Sequence, residues 1–471
     1  MDKNLTILIV CIIYFVAMIV IGLYSAKRNK KTSDYLVAGR KLNLTMTAIT
    51  LAAVQIGVGI VLGSASNGYS EGLWPGVYYA IGCGGGLVIA GLVTAKKLRS
   101  QEGYVPLDYF AHRYGESRGV RLWAWISNIP SLLGIYIAQL IAAGSILSGF
   151  GVPYEWAIVL TTVAILVYCA IGGMWGVVLT NVLQTAIIII GIPILFFAIL
   201  SKYIDGGGEL ADLFCSPFIP DGMFSKFIYL VVPFLLSISV SYDVYSRIQS
   251  AKNARVASLG CIIGGIIVIV IGLFCSTIGV ASRALFPGVE DGIFTVATTS
   301  VLPPVLAGIV IASILAAAMS SANGVILSLG ASFSRDFYNK FLHPEVNNLD
   351  ELKKSKIISQ ATVLIGSLVA MLFAFHMTDI LDAMIIFNYP YMGSMLIPLL
   401  GGLVWKGATI RGAYAAAVAG GLIGVVSFLF GIPGPLQGVM NIDLSLLLAY
   451  LVSAMFLVTF SLLDRKYGRR K

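Results

Sequence analysis

Ser320 and Ser321 sit side by side in ILAAAMSSANGVILSLGASFSRDFY (residues 314 to 338), an otherwise apolar run that also carries Asn323. If the run is helical, both hydroxyls and the carbonyl of Ala317, one turn back, can converge on one point. Neutral oxygens suit a hard monovalent cation such as sodium, whose single charge does not demand carboxylates. Serine hydroxyls also bond back to their own helix, so the spacing alone leaves both uses open. A five-oxygen site needs two further carbonyls, and a helix broken elsewhere would supply them.

TAITLAAVQIGVGIVLGSASNGYSEGLW (residues 47 to 74) offers such a break, because Gln55 interrupts the apolar run and Gly57 and Gly59 follow within one turn. A helix interrupted at the midplane of a membrane is how transporters expose carbonyls to cations. Close helix packing is the competing use of those glycines. YLVVPFLLSISVSYDVYSRIQSAKNAR (residues 229 to 255) is disrupted in the same way by Ser237, Ser239 and Ser241 ahead of Asp243. An ion pair between Asp243 and Arg247, one turn on, is the simplest use of that acid.

The elements that must position these groups follow from composition. With 58% hydrophobic residues and only 11% charged ones over 471 residues, the chain carries far more apolar surface than a soluble domain does. It reads as an all-α polytopic membrane protein. A span needs roughly 20 apolar residues, and that ruler finds about thirteen segments, near 5–23, 45–65, 74–95, 122–148, 156–174, 179–200, 227–245, 256–281, 301–332, 357–375, 380–404, 412–430 and 442–462.

Of the 31 Lys and Arg, 27 fall in loops 24–43, 96–121, 247–255, 335–356 and 406–411 and the tail 464–471. Basic residues are retained on the cytoplasmic side, so the C-terminus is expected in the cytoplasm and the N-terminus outside, in the plasma membrane. The net charge of +9 is then a topology signal and implies no nucleic-acid partner. The first apolar run is followed by a basic cluster and reads as a retained span, not a cleaved signal. The six cysteines form no CxxC pair and are expected as free, buried thiols.

Function classes fall away in turn. No loop is long enough for a catalytic or nucleotide-binding domain, and GxxxxGK[ST], HExxH and GxSxG are all absent. His112, His343 and His376 are scattered. An enzyme is therefore not expected. A solute carrier remains, with a channel or sensor on the same frame as the lesser alternative.

LAAAMSSANGVILSLGASFSRDFY, together with SDYLVAGRKLN, YVPLDYFAHRYG, IGGMWGVVLTNVLQ and YDVYSRIQSAKNARVA, all in the same order along residues 34 to 338, resembles the sodium:solute symporter family. The resemblance implies a leucine-transporter-type fold, a 5+5 inverted repeat whose repeats each begin with a broken helix. It places a peripheral span and loop at 1–43, the repeats at 44–226 and 227–411, and two peripheral spans with a basic tail at 412–471. By position, it implies sodium on the carbonyls of Ala53, Ile56 and Ala317 and the hydroxyls of Ser320 and Ser321. Where many members carry an aspartate, this sequence has Asn181, which cannot contribute charge. Asn181 and Asp243 are accordingly the candidates for coupling, and a proton-coupled carrier stays open beside sodium symport.

The resemblance also sets the solute beside the broken helices, near Gln55, Gly57, Ile60, Gln139, Ser237 and Ser241. These groups are small and neutral, which favours an amino acid or short carboxylate. A choline-type carrier is the alternative; it would require an aromatic cage. The expected partners are a small-molecule solute and the bilayer, and the sequence leaves the oligomeric state open.

Overall fold

Apolar runs of this length satisfy their backbone in lipid only as helices or closed barrels. The computed structural model, which describes residues 3–346, 349–352, 354–377, 386–430 and 445–468, is helical. Among the described residues there is no strand, only an isolated bridge between Leu42 and Ala251. Residues 378–385 and 431–444, where the expected spans 380–404 and 442–462 begin, lie outside the described residues.

The helices that matter for the site are α1 (Lys3–Ser25), α2 (Leu44–Gln55), α3 (Ser64–Glu71), α4 (Leu73–Ile89), α5 (Pro106–Tyr114), α6 (Arg118–Ser148), α7 (Tyr154–Leu166) and α8 (Gly172–Asp205) in the first part of the chain. They are followed by α9 (Phe224–Ser237), α10 (Tyr242–Ser250), α11 (Ala254–Leu285), α12 (Pro304–Ser332), α13 (Ser355–Ala374), α14 (Tyr389–Val404), α15 (Ile410–Phe430) and α16 (Ser445–Gly468). Local chemistry sets several starts. Asn43 caps α2 through the Met46 amide at 2.9 Å, Asn253 caps α11 through Val256 at 2.9 Å, and α5 and α12 begin on a proline.

Among the described residues ten helical stretches are long and apolar enough to cross a membrane, or eleven when one bent pair counts as a span. One stretch, Tyr154–Asp205, is 52 residues long, which at about 1.5 Å per residue far exceeds a bilayer. It is divided at Gly173, whose φ of 50° and ψ of −149° lie outside the helical region. The tally of thirteen thus stays an expectation.

From Val310 onward α12 is buried on every side, packed between α1, α6 and α8. A helix with apolar residues on every face, small residues and a few internal polar ones is suited to that central place. α11 crosses α4 where Gly84 meets Gly265: a Cβ on Gly84 would stand 2.6 Å from the Gly265 carbonyl oxygen. The glycine clusters serve close helix approach there, as expected. α14, α15 and α16 pack on one another at the C-terminal end. All six cysteines are free; five are buried and Cys215 is exposed, which departs from the sequence reading for that one thiol.

Candidate functional site

α2 ends at Gln55 and the chain resumes as a π-helical turn (Gly59–Gly63) leading into α3, with a 62° bend between the two halves. The break has a consequence for the backbone. In a continuous helix the carbonyls of Ala53, Val54 and Ile56 would accept from the amides of Gly57, Val58 and Ile60. Here the Gly57 amide turns to the Gln55 carbonyl (2.8 Å), Val58 to Gln139 Oε1 (3.2 Å) and Ile60 to the Gly57 carbonyl (3.1 Å). The three carbonyls have lost their helical donors.

The serines of α12 meet two of them. Ser320 Oγ lies 2.9 Å from the Ala53 carbonyl oxygen and 3.0 Å from that of Ala317, and Ser321 Oγ lies 2.9 Å from that of Val54. Ser320 has one proton to share between two acceptors, so three oxygens converge with a single hydrogen among them. That excess of oxygen lone pairs is what a cation would satisfy. Val54 was not among the sequence candidates, and the carbonyl of Ile56, at the break with φ −77° and ψ 72°, accepts no hydrogen bond from either serine hydroxyl among the described residues. Both serines and Ala53, Ile56 and Ala317 are buried.

Gly57 is the close-approach position. A Cβ there would stand 2.7 Å from Ser321 Oγ and 3.2 Å from Gln139 Oε1. Gly57→Ala must therefore displace the Ser321 hydroxyl, an overpacking cost of about 1–3 kcal/mol. If the sodium expected from the sequence binds these oxygens, the expected outcome is a roughly tenfold or greater rise in the sodium concentration needed to stabilise the protein thermally. An unchanged sodium dependence would show that the Ser321 hydroxyl is not part of the site.

A cavity of ≈ 60 Å³ opens beside the break. Gln55, Gly57, Gln139, Ser241 and Asp243 line it, and so does Ser321. Ile60 and Ser237 do not. Both are buried outside its wall, Ile60 towards Gly272 of α11 and Ser237 with its hydroxyl unpartnered among the described residues. Sequence reasoning missed Asn128 and Ser131 of α6 and, from the second half of the chain, Asn388 and Tyr391. Ser131 is hydrogen-bonded to Asn388.

The second disrupted helix runs α9, a 3₁₀ turn (Ile238–Val240), an extended Ser241 and then α10. Asp243 does not pair with Arg247 as the sequence invites. Arg247 instead donates to the main-chain carbonyl of Asp243 (2.7 Å) and to that of Thr50 (3.0 Å), and it is fully buried although the sequence places it in a basic loop. The Asp243 carboxylate accepts from Gln55 Nε2 at 3.4 Å. Asn181 is tied into a neutral network, donating to Thr50 Oγ1 (2.9 Å) and accepting from Asn323 Nδ2 (3.0 Å). Asn323 is thereby also accounted for: it holds Asn181 and does not reach the serine oxygens.

The two ends of the site differ. Gly59 lines both the central cavity and a second cavity of ≈ 600 Å³ bordered by Ser66, Ser145 and Asp291. At the other end Tyr242, also on the central wall, donates to Asp336 Oδ2 (2.8 Å), and the other carboxylate oxygen of Asp336, Oδ1, lies 2.6 Å from Arg121 Nη1. Arg121 also pairs with Glu116 (2.7 Å) and Asp108 (3.5 Å), and Asp108 pairs with Arg335 (2.9 Å). Burial alone would push the Asp108 carboxyl up, but the Arg335 and Arg121 guanidiniums outweigh it and hold it below the usual carboxylate range. A charged network thus shuts one end and a wide cavity reaches in from the other.

A helical chain with a broken helix facing a central cavity, closed at one end and accessible from the other, has the architecture of a multi-pass membrane transporter. A substrate-bound, outward-open Na+-coupled sialic acid symporter matches it with a TM-score of 0.79 at 20% identity, over 98% of each chain. A nucleobase-cation-symport-1 family transporter in a closed conformation matches with a TM-score of 0.58 at 14% identity, over 92% of this chain and 95% of that one. The fold is therefore the leucine-transporter type. The chain belongs to the sodium:solute symporter family, whose model matches residues 35–420. Sodium/proline symporters of Staphylococcus aureus strains JH9 and JH1 are each 25% identical over 450 residues, covering 90% of this chain and 86% of theirs. It is a sodium-coupled symporter of a small-molecule solute, and sodium is the coupling ion.

Proposed function

We propose that sodium binds among the carbonyls of Ala53, Ile56 and Ala317 and the hydroxyls of Ser320 and Ser321, and that the solute is an amino acid or short carboxylate held in the cavity beside them. The observation that carries the ion site is the loss of helical donors at Ala53, Val54 and Ile56, with two serine hydroxyls turned to the first two. Gln55, Gly57, Gln139 and Ser241 are the polar and close-approach groups for the solute. Ile60 and Ser237 act from behind that wall. The sodium/proline symporters among the relatives support a compact amino acid.

The cycle is alternating access between two inverted repeats, 44–226 and 227–411, flanked by 1–43 and 412–471. The N-terminus lies outside the plasma membrane and the C-terminus in the cytoplasm, so the Arg121 network closes the cytoplasmic end and the large cavity is the external vestibule. Thirteen spans satisfy that topology. Sodium ties α2 to α12; opening inward parts them and releases it. Asn181 supplies no charge for a second ion, so one sodium moves per cycle.

The test is uptake by purified protein in liposomes under an inward sodium gradient. A potential of 100 mV adds about 2.3 kcal/mol per charge, enough for roughly 40-fold accumulation. L-proline and other amino acids are expected to accumulate with sodium dependence of Hill coefficient near one. Downhill flux without accumulation would defeat the symport cycle described, and a Hill coefficient near two would defeat the single-ion stoichiometry.

A further inference from the structure

Among the described residues, the wall of the central cavity contains no Lys, Arg or His, and Asp243 is its single carboxylate. That side chain is 7% exposed, and no ion pair engages it among the described residues. Its hydrogen bond from Gln55 is long, at 3.4 Å. Arg247, the cation next along the same helix, gives its Nε to Thr50 and its Nη1 to the Asp243 main-chain carbonyl, keeps Nη2 without a hydrogen-bond partner among the described residues, forms no ion pair with the Asp243 carboxylate and does not line the cavity. A buried carboxylate facing a cavity without a counter-charge needs one from elsewhere.

The same wall holds two amide groups with unused donors. Gln139 and Asn128 are each 1% exposed, and among the described residues Gln139 Nε2 and Asn128 Nδ2 have no hydrogen-bond partner. The orientation of Gln139 is set by the Val58 amide, which donates to its Oε1 and so leaves Nε2 as the free donor. Orphaned buried donors are costly unless a ligand accepts from them. Tyr79 and Phe234, packed edge to face at 4.8 Å between ring centroids, supply aromatic wall.

We infer that Asp243 is the specificity-determining residue of the solute site: it selects a solute bearing a cationic nitrogen, while the amides of Asn128 and Gln139 receive that solute's oxygen acceptors. This rests on the proposal that the solute occupies this cavity, and it narrows the class to zwitterions and cations. A simple carboxylate would meet like charge in a space of ≈ 60 Å³. The solute nitrogen supplies the missing counter-charge.

The test uses the full chain in liposomes with an inward sodium gradient and two labelled pools. One holds the proteinogenic amino acids, trimethylglycine and choline; the other holds acetate, propionate, lactate and pyruvate. Sodium-driven uptake is expected from the first pool alone. Asp243→Asn is expected to weaken binding of the responding solute on the order of 100-fold, with Asp243→Glu intermediate. Thermal stabilisation by sodium without solute is expected to survive in both variants. Uptake from the carboxylate pool, uptake from neither pool, or an Asp243→Asn protein with wild-type KM would each overturn the inference. So would loss of the sodium response in Asp243→Asn, because the carboxylate would then serve the ion. Failure of the ion-site proposal is read separately, as a sodium response that persists in Ser320→Ala/Ser321→Ala.

Discussion

Ser320→Ala/Ser321→Ala is expected to abolish sodium-driven uptake at any sodium concentration the native protein uses, if the proposed ion site is the one that couples transport. Each hydroxyl offers a cation one oxygen, and contacts of that kind to charged groups contribute about 1.5–3 kcal/mol. Losing two lowers sodium affinity by a hundredfold or more. The helix itself loses nothing, since alanine is the best helix former. The substitution does orphan the carbonyls of Ala53 and Val54, which the hydroxyls meet at 2.9 Å, so some thermal stability is also lost. Two readouts separate the effects: sodium-dependent stabilisation measures the ion, and the sodium-free melting temperature measures the fold. Ser320→Ala alone is expected to exceed Ser321→Ala, because Ser320 bridges carbonyls of both α2 and α12. A double variant that retains the native sodium response would remove the ion from this place.

Much of this site is legible in the sequence because lipid makes polar groups conspicuous. Ser320, Ser321, Gln55 and the glycines after it stand out in apolar runs, and a break is cheap where Gly57 lies. What the sequence does not carry is the geometry after the break. Ile60 lies one turn past Gly57 on an ideal helix, yet the 62° bend and the π turn at Gly59–Gly63 carry it towards α11. The 3₁₀ turn at Ile238–Val240 likewise separates Ser237 from Ser241, so only the second reaches the cavity. Asn128, Ser131 and Asn388 gave no signal of their own, because their shared cavity wall and the Ser131–Asn388 hydrogen bond exist only in the tertiary fold. Arg247 misled for the opposite reason. It counts as a loop cation by composition, whereas α10 continues inside the protein and buries it against Thr50.

The second large effect is expected at the closed end. Arg121 is the hub there: its guanidinium, 3% exposed, meets Asp336, Glu116 and Asp108, and Asp336 reaches through Tyr242 to the wall of the central cavity. Removing one partner from a buried ionic cluster costs about 3–5 kcal/mol, because the remaining charge stays buried without compensation. That cost falls on the closed arrangement alone if solvent reaches Asp336 when the end opens. Arg121→Ala therefore shifts the balance towards the opened state by roughly a hundredfold to several thousandfold. The measurement is labelling of a Ser131→Cys probe, on the cavity wall, by an impermeant maleimide offered from the side of oriented vesicles that the proposed topology makes cytoplasmic. The probe is expected to react slowly in the native background and fast with Arg121→Ala, while sodium-driven accumulation collapses into leak. Tyr242→Phe breaks only the 2.8 Å bond to Asp336 and leaves the ion pairs intact, so it gives a smaller shift in the same direction and guards against misfolding in the stronger variant. Equal probe reactivity in all three proteins would mean that the network holds the fold together without gating the site.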